Sequence, residues 1–218
     1  MMTLMLMTIA VTATSQDCCK MKTADTQQCC GSHVTGVREC CSQAALQNIM
    51  TRTSIRKFKS QAVESDKIET MLRAAMAAPT AVNKQPWHFV VVNDRQVLDR
   101  LAGQGRRGDM LRNAPLAIVV CGNMEKALDG EAADFWIQDV SAATENLLLA
   151  AHAMGLGAVW TGVYPIKDRV NQVAQAMGTP EQIVPFCAIV IGYPDEQPQP
   201  KDKWKPENVS YNQYGGKR

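Results

Sequence analysis

Short apolar runs alternate with amphipathic helical stretches along most of this 218-residue chain, which predicts an α/β or α+β domain rather than an all-helical one. Two further observations support that class. Proline or glycine punctuates most changes of pattern, and the apolar runs have the short length of buried strands. With 46% hydrophobic residues the chain can bury one sizeable core. A net charge of +2, with no basic run interleaved with aromatics, gives no electrostatic case for a nucleic-acid partner or an anionic membrane. No segment reads as a membrane span, and these features together point to a small-molecule ligand.

Leu46, Ile49 and Met50 follow helical spacing and predict a short helix opening a domain that starts near Ala44 and runs to residue 218. Asp66, with Glu69 three residues on, is expected to cap the next helix, whose apolar face is Ile68, Met71, Leu72, Ala75 and Met76. Pro79 ends it. The run 88–92 is a strand, Asn93-Asp94 caps a helix through Val97, Leu98 and Leu101, and the glycines of Gly103 to Asp109 predict a mobile loop. A second strand follows at Leu116 to Cys121. Phe135 to Met154 reads as a helix apolar on nearly every side, which needs cover from several neighbours or from a second subunit. Gly155 stops it with a left-handed cap. A strand at Ala158 to Trp160, a helix at Lys167 to Met177 closed by Gly178, and a strand at Val184 to Gly192 complete the domain, and a proline- and lysine-rich tail follows.

The N-terminus has a different character. Residues 1–16 resemble a secretory signal, with an apolar run from Leu4 to Val11 and then small residues, but no Lys or Arg precedes the run. An exported, periplasmic location and a cytoplasmic one both stay open. Residues 17–43 read as an extension outside the core. They hold three doublets, Cys18-Cys19, Cys29-Cys30 and Cys40-Cys41, spaced eleven residues apart. Bridges between doublets, thiolate ligation of a soft metal and an unstructured tail are all open readings, because the spacing matches no zinc pattern. An exported metal-binding or redox-interaction protein is accordingly one rival reading of the whole chain. Cys121 and Cys187 lie in apolar runs and read as core residues.

Three segments carry the chemistry. Arg52 and Arg56, with Thr53 and Ser54 between them, offer forked donors and hydroxyls suited to a phosphate, and Lys201 and Lys203 of the tail can complete the same anion site. The turn Pro79-Thr80-Ala-Val-Asn83-Lys-Gln85-Pro-Trp87 presents two side-chain amides that suit a flat heterocycle with alternating donors and acceptors. Gly162, after the third strand, allows a ligand close to the backbone. Walker A, G-x-S-x-G and H-E-x-x-H patterns are absent from the sequence and no G-x-G-x-x-G follows a strand, so a phosphate-bearing cofactor has to be held by side chains. His88 and His152 read as structural, and no catalytic side chain or metal ligand is assigned.

Taken together, Arg52-Thr-Ser-Ile-Arg56-Lys-Phe58, the turn Pro79 to Trp87 before a strand, and Glu145-Asn-Leu-Leu-Leu-Ala-Ala-His-Ala-Met-Gly-Leu-Gly157-Ala-Val-Trp160-Thr-Gly162 resemble, in matching order, the FMN-dependent nitroreductase family. The resemblance covers about residue 46 to the C-terminus. It implies an α+β fold with a central, mostly antiparallel sheet flanked by helices, and an intertwined homodimer with FMN in two interface pockets. It also implies that Arg52, Thr53, Ser54 and Arg56 meet the phosphate and ring edge, with Lys201 and Lys203 at the phosphate. Asn83 then faces the ring system, Pro79, Thr80 and Gln85 support it, and the Gly162 amide lies near flavin N5. The implied activity is ping-pong electron transfer from NAD(P)H to nitroaromatics, quinones or a related small acceptor. Dehalogenation, enone or aldehyde reduction and flavin fragmentation are reactions of similar proteins, and the choice between NADH and NADPH stays open.

Overall fold

The computed structural model describes residues 35–103 and 105–218. The proposed leader and the first two cysteine doublets lie outside the described residues. The chain divides into two compact units, Met1–Gln47 and Asn48–Arg218, and the sheet, core and site belong to the second.

Six helices are described: α1 (Thr35–Thr51), α2 (Ser65–Met76), α3 (Arg95–Ala102), α4 (Arg106–Asn113), α5 (Phe135–Ala153) and α6 (Lys167–Met177). Four strands, β1 (Trp87–Val92), β2 (Leu116–Asn123), β3 (Gly157–Gly162) and β4 (Ile183–Gly192), form one sheet in the order β1-β2-β4-β3. All three pairings are antiparallel, which decides for α+β. The chain's last strand therefore lies between β2 and β3.

Helices cover both faces of this sheet. Leu116, Ile118 and Val120 of β2, with Cys187, Ile189 and Ile191 of β4, pack toward Met71 and Ala75 of α2 and Val140, Ala143 and Leu147 of α5. The alternate residues Ala117, Val119, Cys121, Ala188 and Val190 pack toward Leu98, Leu101, Leu111 and Val173 of α3, α4 and α6. Burial on both faces explains why β2 and β4 read as unbroken apolar runs. It also pushes the Cys121 and Cys187 thiols up to about 12, so both are inert core groups.

Several expectations change. Helix α2 starts at Ser65 after an N-cap Glu64 that makes no side-chain cap. Asp66 lies in the first turn, where a carboxylate meets the positive end of the helix dipole, and Glu69 pairs with Arg73 instead. The expected loop 103–109 contains the start of α4. Gly103 and Gly105 do break the chain with φ of 59° and 76°. Gly108, however, is a packing glycine, because a Cβ there would lie 2.6 Å from the Gly103 carbonyl oxygen. Helix α1 is longer than the apolar spacing suggested, and Ile49 and Met50 are 55% and 74% exposed. Helix α5 finds the cover it needs on α2 and the sheet of its own chain. Its end is as expected: Gly155 has φ of 74°, and its amide and that of Leu156 return to the carbonyls of His152 and Ala151.

Candidate functional site

The basic segment is laid as a strap along the open edge of β3. Ile55 N donates to Ala158 O at 3.1 Å, and Ser54 bridges Ala158. On the other side Lys59 N donates to Tyr193 O, Asp195 N donates to Lys57 O, and the Glu196 carboxylate accepts from the amides of Arg56 and Lys57. Ile55 and Phe58 are buried. Two glycines facing each other in the β3–β4 ladder, Gly157 and Gly192, make this seat possible. A Cβ on Gly157 would lie 2.7 Å from Ile55 Cβ, and one on Gly192 would lie 3.2 Å from Phe58 Cβ.

Seating Ile55 and Phe58 inward turns the polar residues of the strap outward. Arg52, Thr53, Ser54 and Arg56 line a cavity of about 730 Å³. The tail supplies Lys201, Lys203 and Trp204 to the same cavity, the end of α1 supplies Ile49 and Met50, and α5 supplies Glu145. Four cations thus stand against two carboxylates, Glu145 and Asp202, an imbalance that favours an anionic ligand. Six of the eleven residues picked out by sequence meet here.

Helix α5 fixes the strap from a second direction. Asn48 Nδ2 donates to Leu149 O at 3.0 Å, Thr51 Oγ1 lies 3.0 Å from His152 Nε2, and Arg52 Nε lies 3.4 Å from Glu145 Oε1. Burial, and then the nearby Arg52 guanidinium, hold His152 below the ordinary imidazole value. His152 is therefore a neutral partner of the strap at pH 7.

The other five residues lie apart from this cavity within the chain. Ala81–Asn83 forms a single 3₁₀ turn, and Val82, Asn83 and Gln85 have φ of 43°, 57° and 51°. Thr80 Oγ1 accepts from Gln85 N at 3.1 Å, and the Asn123 backbone amide ties down the end of the turn by donating to Pro86 O at 2.9 Å. Gln85 Nε2 donates to Asn83 Oδ1 at 3.1 Å, which leaves the Asn83 amide hydrogens and the Gln85 carbonyl for other partners. Pro79 is exposed at the start of this turn. Gly162 ends β3, and its carbonyl accepts from Arg169. A Cβ on Gly162 would meet nothing within 4 Å, so the fold of this chain gives no reason for glycine there.

Residues 49–104 and 102–193 match the model of a family described as the nitroreductase family. The chain belongs to the nitroreductase family. This nitroreductase-family chain is 44% identical over 164 residues to a protein of Methanothermobacter thermautotrophicus provisionally named NADH dehydrogenase/NAD(P)H nitroreductase, covering 75% of this chain and 84% of that one. A crystal structure from Bacteroides thetaiotaomicron with the same provisional name is 46% identical, covers 78% of this chain and 98% of its own, and superposes with a TM-score of 0.73. A provisionally named nitroreductase of Desulfovibrio desulfuricans, solved in complex with FMN, is 33% identical, covers 76% and 94%, and gives a TM-score of 0.65.

Sequence reasoning overlooked Glu145, Trp204, Ile49 and Met50 as members of the cavity wall. Glu145 stood within a quoted motif, but a lone carboxylate on an apolar helix gives no hint of its partner. Ile49 and Met50 carried the right spacing for a helix, and their exposure is visible only once the fold is known.

Proposed function

We propose that this protein is an FMN-dependent NAD(P)H oxidoreductase acting on nitroaromatics, quinones or a related small acceptor, and that it works as a homodimer. The observation that carries the reading is the cavity in which the four cations Arg52, Arg56, Lys201 and Lys203 converge beside Thr53 and Ser54. Its volume falls in the range of cofactor sites, and its donors suit a phosphate. The relative solved with FMN supports the choice of cofactor.

In this reading the strap and tail cations hold the phosphate, and the hydroxyls of Thr53 and Ser54 add directional donors. The amides of Asn83 and Gln85 orient the heterocycle by its polar edge. Gly162, free of any neighbour that would forbid a side chain, keeps the space over its backbone open for the ring and for whatever docks on it. The bound flavin supplies the hydride chemistry. No side chain of the site is assigned a proton to move. One pocket serving donor and acceptor in turn gives ping-pong kinetics.

Exposed apolar side chains support the dimer. Ile49, Met50 and Trp204 (70% exposed) flank the cavity, and Val82 (77%) tops the amide turn, so apolar surface stands uncovered beside both halves of the proposed site. A second copy of the chain covers it and brings the turn and Gly162 to a shared pocket. The test is the visible spectrum and oligomeric state of the purified protein, with FMN titrated into any colourless fraction. A yellow dimer that oxidises NAD(P)H with a quinone or nitroaromatic is expected. A colourless protein that binds no added FMN overturns the proposal.

A further inference from the structure

The amide turn is held in a costly shape. A β-branched residue with positive φ, such as Val82 at 43°, is a genuine outlier, and Asn83 and Gln85 share the left-handed region with it. Such conformations persist only where the surrounding structure over-determines them. Val82, Asn83 and Gln85 are exposed, so no packing of their own supplies the constraint. Hydrogen bonds within the turn, from Gln85 N to Thr80 Oγ1 and from Asn83 N to Thr80 O, are joined by one from a buried helix outside it. Asp139 of α5, 6% exposed, accepts a hydrogen bond from Ala81 N at 2.9 Å through Oδ1. It sits in the middle of an apolar helix face, next to buried Val140, where a carboxylate has no packing purpose.

Helix α5 also reaches the strap, through Glu145, Leu149 and His152. At about 100° per residue those three positions cluster on one line along the helix, whereas Asp139 lies roughly 120° around from them. Asn146, on the Asp139 line, donates through Nδ2 to Ala74 O at 3.1 Å and so fixes the end of the helix that precedes the turn. One rigid helix therefore sets both the phosphate strap and the amide turn.

We infer that Asp139 is a positioning residue for the flavin site: its carboxylate holds the Ala81 to Gln85 turn in the left-handed form that presents Asn83 and Gln85. This inference rests on the FMN reading of the site. Losing the hydrogen bond lets the turn relax, and the fraction of molecules with the amides in place falls, which weakens apparent binding in proportion.

The experiment compares Asp139→Asn, which keeps an oxygen acceptor, with Asp139→Leu, which does not, and with Ala81→Pro, which deletes the same bond from the turn side. Thr80 is extended (φ −136°, ψ 157°) and Ala81 opens the 3₁₀ turn, so proline fits at 81. Two readouts are taken on the full-length protein: amide hydrogen exchange at residues 83–85, which every variant retains, and the FMN dissociation constant. Leucine is expected to speed exchange at Asn83 to Gln85 and to weaken FMN by about 10- to 100-fold, the worth of a hydrogen bond to a charged group. Asparagine is expected to stay within about threefold of wild type. The double variant Asp139→Leu/Ala81→Pro is expected to be no weaker than either single one, because both remove one interaction. Fast exchange with unchanged FMN affinity assigns Asp139 a purely structural role and overturns the inference, as does unchanged exchange. Should the leucine variant not fold, Ala81→Pro alone separates the same outcomes. If the wild type binds no FMN, the functional reading fails, while the exchange data still judge whether Asp139 holds the turn.

Discussion

Gly157→Ala is a one-carbon change whose consequences can be worked from the structure. The new Cβ would lie 2.7 Å from both Ile55 Cβ and Ile55 Cγ2, and neither atom is the free end of a long side chain. Restoring ordinary carbon–carbon contact needs a retreat of roughly 1 Å by the strap. The Ile55 N to Ala158 O bond, 3.1 Å in the structure, then passes beyond hydrogen-bonding range. Overpacking of this kind costs about 1–3 kcal/mol. In a chain of this size, that is a fall in Tm of about 2–12 °C. Because the strap carries Arg52 to Arg56, FMN affinity falls with it, and the rise in Tm on adding FMN shrinks. The assay is a thermal melt with and without a series of FMN concentrations. A variant that melts within about 1 °C of wild type and keeps its full FMN-induced shift refutes the claim that Gly157 seats the proposed phosphate anchor.

Gly162→Ala is the counterpart: with nothing within 4 Å of its Cβ, Tm should hold while FMN binding or turnover falls, and a variant with full turnover removes Gly162 from the site. His152, held below the ordinary 6.5 by burial and Arg52, takes up a proton less readily folded than unfolded. Its share of stability is complete above pH 6.5 and declines as pH falls from there through the folded value, so urea midpoints across about pH 5–8 should drop on the acid side, less steeply in His152→Leu. Cys121 and Cys187, pushed up to about 12, stay protonated at about pH 8. Peptide mass mapping after brief alkylation should find both unlabelled in native protein and labelled after denaturation.

The fold was legible where local chemistry and packing agree. Helix α6 ran as expected because Gly178, at φ of 66°, is an unambiguous stop, and β2 and β4 were visible because burial on both faces leaves no polar alternation to misread. Helix α4 was hidden by glycines of two kinds: Gly103 and Gly105 turn the chain, whereas Gly108 permits close approach of a carbonyl, and a sequence shows the same letter for both. At the site, residue type announced the cations and amides. Their assembly was not announced, since the meeting of Arg52 with Glu145 and of Ala81 with Asp139 depends on how α5 crosses segments that lie far from it in sequence. Asp139 was the hardest to see. A single acid within an apolar helix differs from a surface residue only once its burial is known.

The sheet order has a consequence for how the protein is made. Strand β3 pairs only with β4 within the sheet, and β4 is the last of the four described strands to leave the ribosome. Until it arrives, β3 has an unpaired edge, β2 lacks its inner neighbour and the strap has no finished seat at Gly192. The nascent chain thus carries exposed β edges from the completion of β1 until β4 arrives, the condition in which aggregation competes with folding. Lys201 and Lys203 emerge later still. As the chain is made, closure of the sheet therefore precedes completion of the proposed anion site.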